Sequence, residues 1–216
     1  MAGPRTLLLI HSPLVGPTTW HTTAECLRRR GYRVHTPTMA VTRPPYHEKL
    51  IKAATIDEPV IAVGHSGAGA LLPAITDTAI FVDAVLPHPG QSWFDVAPPQ
   101  AQAQLRGLAT EGELPPWHEW FAPEDIQLPH GPLRTQFLAE IPRLPLAYFA
   151  EAVPVTPAIR QAAYIRLSAP YDTAADEAEH LGWFVHRENA HHLAMLTEPE
   201  RIADLITIGL TQITLA

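Results

Sequence analysis

Ser66 lies in the run Val60-Ile61-Ala62-Val63-Gly64-His65-Ser66-Gly67-Ala68-Gly69-Ala70-Leu71-Leu72. A short, β-branched stretch stops at Gly64, and an Ala/Leu-rich segment of helical character follows the serine at once. The pattern predicts a strand, a very tight turn and a helix, with Ser66 held at the apex in a strained backbone conformation. Small neighbours are needed there because strand and helix come into contact. A serine hydroxyl is a poor nucleophile at neutral pH. It needs a base to take its proton, and the base needs an acid to hold its tautomer. A phosphate-binding loop is the competing reading of a Gly/Ser-rich turn. No GK[ST] follows, however, and no acidic residue stands at the spacing a dinucleotide ribose would require.

Candidates for base and acid occur downstream in the order serine, acid, histidine. The bases are the adjacent His191 and His192, in Glu188-Asn189-Ala190-His191-His192-Leu193. The acids are Asp83, which closes an apolar run, Asp172, and Asp176 four residues further on. An aspartate at a strand end often only satisfies backbone donors, so each keeps a plain structural alternative.

Positioning such a set requires strands whose carboxyl ends share one edge. Apolar runs predict strands at Thr6–Ile10, Tyr32–His35, Pro59–Gly64, Ala79–Val85, Ala162–Ser168 and Trp183–His186. Helical spacing covers Thr19–Arg30, His47–Ile56, the segment after Ser66 to about Ile75, Thr173–His180 and Pro199–Leu210. Strands separated by single helices imply a parallel sheet covered on both faces, with loops carrying Ser66, Asp172 and His192 on its carboxyl edge. The rhythm breaks between residues 87 and 158, which hold 13 of the 23 prolines and half of the aromatics. That stretch predicts short helices joined by stiff turns, forming a lid whose aromatics face a pocket. Trp117, Trp120 and Tyr148 are the expected pocket walls, and His65 is expected to flank the substrate beside the nucleophile.

The motifs LLLIHSPLVGPTTW, VGHSGAG, RLSAPYD and ENAHHLAMLTEPE resemble the α/β-hydrolase superfamily over essentially the full length. Ala68 replaces the last glycine of the usual G-x-S-x-G, with Gly69 beside it. The resemblance implies a single α/β domain over residues 1–216, mostly parallel sheet flanked by helices, with the lid at about 87–158 inserted. It implies Ser66 as nucleophile, His192 as base (His191 taking the place of a usual glycine) and Asp172 as acid, ahead of Asp83 and Asp176. For the oxyanion hole it implies the Gly67 N–H and a second donor from the loop after the first strand. That loop reads His11-Ser12-Pro13-Leu14, and proline has no N–H. Leu14 or the Ser12 hydroxyl must substitute, or the hole is incomplete.

The expected activity is hydrolysis of an ester, thioester or lactone of a small to medium apolar molecule. Because of Pro13, a lyase, isomerase or cyclase of the same fold is the alternative, with His192 as general base; a role in secondary metabolism would suit that class. A lidded pocket used only for binding is a third reading.

Composition narrows the partners. Charged residues make up 17% and the formal net charge is −7, which disfavours nucleic acid. Cys26 is the single cysteine, so a disulfide framework is excluded and a reducing compartment is expected. No apolar run approaches a membrane span, and no secretory leader is evident, so a cytoplasmic protein is expected. His88, His118 and His130 are scattered without ligand spacing, so neither metal nor cofactor is expected. A small-molecule substrate is the expected partner, and self-association into a homodimer is left open.

Overall fold

The computed structural model describes residues 6–215. Six strands form one sheet: β1 (Thr6–Ile10), β2 (Arg33–His35), β3 (Ile61–Ser66), β4 (Thr78–Ala84), β5 (Gln161–Arg166) and β6 (Phe184–Arg187). Their spatial order is β2-β1-β3-β4-β5-β6, and every pairing is parallel. The chain winds outward from β1 to β2, then returns to β3 and proceeds the other way. This reversal leaves a crevice at the carboxyl ends of β1 and β3, where open α/β sheets place their sites.

Alternation along each strand sends side chains to two apolar layers. Leu7 and Leu9 of β1, with Val63, Ile80, Val82, Ala163 and Ile165, pack under α1 (Thr18–Arg29) and, once the chain has passed β6, α7 (Ala194–Thr197) and α8 (Pro199–Leu215). Leu8 and Ile10, with Ala62, Phe81 and Tyr164, pack under α2 (Tyr46–Ala54), the 3₁₀ helix Gly67–Ala74 and α6 (Asp172–His180). Each fully buried aliphatic side chain of this kind contributes roughly 1.5–3 kcal/mol.

The helix expected after Ser66 is of the 3₁₀ type. Pro73 lies inside it and has no N–H to donate to a carbonyl one α-turn back. Gly69 rather than Ala68 makes the closest approach. A Cβ at Gly69 would stand 2.0 Å from the Val85 carbonyl oxygen, and one at Gly64 would stand 2.8 Å from Leu72 Cδ1.

Residues 85–160 leave the sheet between β4 and β5. They carry α3 (Trp93–Val96), α4 (Pro99–Leu108), α5 (Gly131–Ala139) and three 3₁₀ turns. Prolines cap or open these pieces: Pro98 and Pro99, Pro116, Pro123, Pro132 and Pro145 all sit at helix starts. The excursion packs on the second layer through Leu105, Leu114, Leu144, Tyr148 and Phe149.

Candidate active site

Ser66 ends β3 with φ 55 and ψ −128, the strained turn that the small residues around it predict. Such a conformation costs of order 1–3 kcal/mol and persists only where neighbours hold it. Here the close packing at Gly64 and Gly69 does so. Gly67 opens the following helix, so its N–H belongs to a first turn without intrahelical acceptors.

On the adjacent strand His65 pairs with Val82 and Ser66 with Ala84, so Asp83 is an extra residue in the ladder, with φ 44. Bulges of this kind re-aim a side chain beside a site. Tyr164 pins the strand just past the bulge: its hydroxyl donates to the Ala84 carbonyl at 2.7 Å and accepts from the Ala84 N–H at 3.2 Å. The Asp83 side chain is fully buried and densely partnered. Its Oδ1 accepts from Leu167 N–H at 2.7 Å and Ser168 N–H at 3.0 Å. Its Oδ2 accepts from the Ser168 hydroxyl and, at 2.9 Å, from His192 Nδ1–H. That last bond places the His192 proton on Nδ1 and leaves a lone pair on Nε2.

The His192 ring is clamped. Tyr171 stacks on it with centroids 5.0 Å apart and planes 6° from parallel, and His65 lies 4.4 Å away. The Tyr171 hydroxyl stands 3.4 Å from Ser66 Oγ, and burial pushes its pKa up, so it remains a neutral phenol. His65 Nε2–H donates to the His192 carbonyl at 2.9 Å, while Trp20 meets the His65 ring edge-on. Complete burial drives the pKa of His65 well down, aided by His192, so this ring is neutral.

The loop after β1 is braced by His11, whose Nδ1–H donates to the Ser12 carbonyl at 2.8 Å while Nε2 accepts from Met39 N–H at 3.0 Å. Leu14 N–H is turned onto Ser12 Oγ at 3.3 Å. The Ser12 oxygen therefore accepts from Leu14 and keeps its own proton to donate. It also lies 3.2 Å from where a Gly67 Cβ would be, so the Ser12 hydroxyl and the start of the Gly67 helix share one corner.

These groups open onto a cavity of about 500 Å³. Ser12, Leu14, Ser66, Gly67, Tyr171 and His192 line one part of it; Leu105, Trp117, Trp120, Phe149 and Val153 supply apolar wall. Among the described residues no group of three or more His, Cys, Asp or Glu converges to hold a metal ion, and no helix is long and apolar enough to cross a membrane.

No protein-family model and no curated protein matches the sequence. Solved structures do. An extracellular α/β-hydrolase from a Paenibacillus species, described as sharing structural and functional homology with tobacco salicylic acid binding protein 2, superposes with a TM-score of 0.66 at 22% identity, over 95% of this chain and 99% of its own. A pyrethroid hydrolase from Sphingobium faniae gives 0.65 at 21% identity, over 94% and 96%. Tomato methylketone synthase I, solved with β-ketoheptanoate, gives 0.63 at 14% identity, over 96% and 98%. The chain has the α/β-hydrolase fold.

On this α/β-hydrolase scaffold the expected residues land unevenly. Ser66, His191 and His192 all line the cavity, but His191 Nε2 is taken up with Thr197 Oγ1 at 2.7 Å, whereas His192 meets Asp83. Asp172 is displaced from the expected position: it begins α6, half exposed, and Arg166 Nε donates to its Oδ1 at 2.5 Å. Asp176 pairs with Arg187. Asp83 is the acid that meets His192. The signal for it was a charged residue in the otherwise apolar run Ala79–Val85, affordable only with buried partners. Gly67, Ser12, Leu14, Trp117, Trp120 and Tyr148 line the cavity. His65 does not, being sealed behind His192 and Trp20. Tyr171, one residue from Asp172, carries no signal in the sequence, because its place comes from stacking on His192 and from its hydroxyl beside Ser66, both contacts between distant segments.

Proposed function

We propose that the protein is a serine hydrolase acting on an ester, thioester or lactone of a small to medium, largely apolar molecule. The observation that carries this is the Asp83–His192 pair at 2.9 Å beside a serine in a strained turn, all opening on one apolar cavity. His192 Nε2 takes the proton of Ser66 as its oxygen attacks the acyl carbon. The imidazolium is stabilised by Asp83 and returns the proton to the leaving group. Gly67 N–H and the Ser12 hydroxyl meet the oxyanion, Ser12 standing in for the amide that Pro13 lacks. Water then repeats the sequence on the acyl-enzyme. Residues 87–158 act as the lid, setting substrate shape through Trp117, Trp120 and Tyr148. With Cys26 the sole cysteine, the cytoplasm is the compartment we assign.

A second reading is favoured by Pro13 and by Tyr171, whose hydroxyl lies beside Ser66. Here Ser66, Tyr171 and His192 relay a proton without an acyl-enzyme, as a lyase or isomerase would require; methylketone synthase I shows that the fold is not tied to esterase names. A fluorophosphonate probe separates the two. Under the hydrolase reading it labels Ser66 stoichiometrically, p-nitrophenyl esters give a burst, and Ser66→Ala abolishes both. An unlabelled Ser66 with full turnover in Ser66→Ala sinks it.

A further inference from the structure

The cavity has a second cluster of polar groups that the proposed chemistry leaves unused. His47, the second residue of α2, is only 4% exposed and lines the cavity. Its Nδ1 is buried without a partner among the described residues. An orphan of this kind costs about 1–3 kcal/mol, and buried polar atoms are otherwise almost always satisfied. His88 and Tyr148 line the same cavity, and the Tyr148 ring meets His47 edge-on at 5.0 Å. The Tyr148 hydroxyl makes no hydrogen bond to a described residue. None of the three makes a hydrogen bond or ring contact with Ser66, Tyr171 or His192. His47 touches Tyr148 and feels the charge of His88, so the three line the cavity as a polar group of their own.

The chemistry of this group is restricted. His88 Nδ1–H donates to the Leu86 carbonyl at 3.1 Å, which leaves its Nε2 as an acceptor. Burial raises the Tyr148 pKa, so its phenol stays protonated and can donate. Burial also lowers the affinity of His47 for a proton, and His88 lowers it further, against opposing pulls from Glu151 and the Ala152 carbonyl. An anion fits poorly, because the Glu151 carboxylate sits close by, accepting Tyr46 N–H at 2.9 Å and His47 N–H at 2.7 Å. What complements an acceptor, a donor and a neutral imidazole is a group that donates and accepts without charge.

We propose that His47, His88 and Tyr148 together bind a hydroxyl group of the substrate, away from the bond that Ser66 attacks. The hydroxyl donates to His88 Nε2 and accepts from Tyr148, with His47 completing its partner set. The substrate class is thus an apolar ester or relative bearing an alcohol or phenol at its far end, which rests on the hydrolase reading for the word ester.

The test compares methyl hexanoate, the same ester with a terminal hydroxyl, and monomethyl adipate, whose far end is a carboxylate. The hydroxy ester should show kcat/KM on the order of 10- to 100-fold above methyl hexanoate, the worth of one well-placed hydrogen bond or two, with the adipate lowest. Tyr148→Phe, which keeps the ring packing, and His88→Leu should each pull the ratio toward unity. Calorimetry on Ser66→Ala reads the same preference as binding. A binding preference without turnover of any ester keeps the hydroxyl site and overturns the hydrolase reading. Equal binding of hydroxy and plain ester, a preference for the carboxylate, or a ratio unmoved by both variants overturns the proposal.

Discussion

The carboxyl ends of β4 and β5 are neighbours, and each leads to an aspartate. Asp83 is sealed from water and receives four hydrogen bonds, two of them from backbone amides. Asp172 lies half exposed with Arg166 as its ion-pair partner, within a rim of Arg187, Asp176 and Glu179. Chain order and loop position do not separate these two carboxylates; burial and donor count do. A charge in water is screened and replaceable. A charge held by fixed donors in an apolar layer can fix a tautomer, because its own orientation has nowhere to relax.

Replacing each side of the comparison should give very unequal effects. Asp83→Asn is the largest. The amide's NH₂ would face either His192 Nδ1 or the Leu167 and Ser168 amides, so either the imidazole loses its tautomer or a buried donor loses its acceptor. We expect kcat to fall on the order of 10⁴-fold and the thermal midpoint to drop, measured by burst kinetics and calorimetry. A variant within tenfold of the parent enzyme would break the assignment of Asp83.

The second effect is on stability toward acid. His65, His11 and His47 are buried with lowered pKa values, desolvation being the main cause in each. As pH falls through about 6.5, the unfolded chain takes up protons on these residues while the folded chain does not, so stability is present above that pH and lost below it. Thermal midpoints at constant ionic strength should be level above pH 7 and decline between about 6.5 and 5, before carboxylates titrate. A level midpoint across that window would show that the layer behind His192 is not sealed. The smallest effect is Asp172→Asn, at most about 1 kcal/mol in stability for an exposed pair, with kcat unchanged. A large loss of kcat there would reverse the comparison.

Much of this was legible in the residues. β-branched runs and glycines located the strands and the turn at Ser66, because local backbone demands are written in residue type. Proline spacing likewise announced the short helices of the excursion. His192 followed from its loop. The sequence ranks Asp83 below Asp172 because a bulge is a property of the pairing of β3 with β4: only the shift of Ser66 onto Ala84 turns its side chain toward His192. By sequence His65 reads as a pocket residue because it adjoins Ser66, yet alternation along β3 turns it into the layer behind. Tyr171 and the His47 cluster depend on contacts between distant segments and leave no local trace.

The excursion between β4 and β5 also orders events in time. β3 and β4 are joined by a short connection, so Ser66 and the Asp83 bulge can form early from neighbouring chain. Tyr164, the amides of Leu167 and Ser168, and His192 all arrive after residues 85–160 have been spanned. Closing so long a loop carries an entropic charge that must be met before its contacts reward it. Loop closure therefore predicts an order in which the bulge carrying Asp83 forms before its donors and His192 dock onto it, an order that φ-values at Asp83 and Leu167 would read.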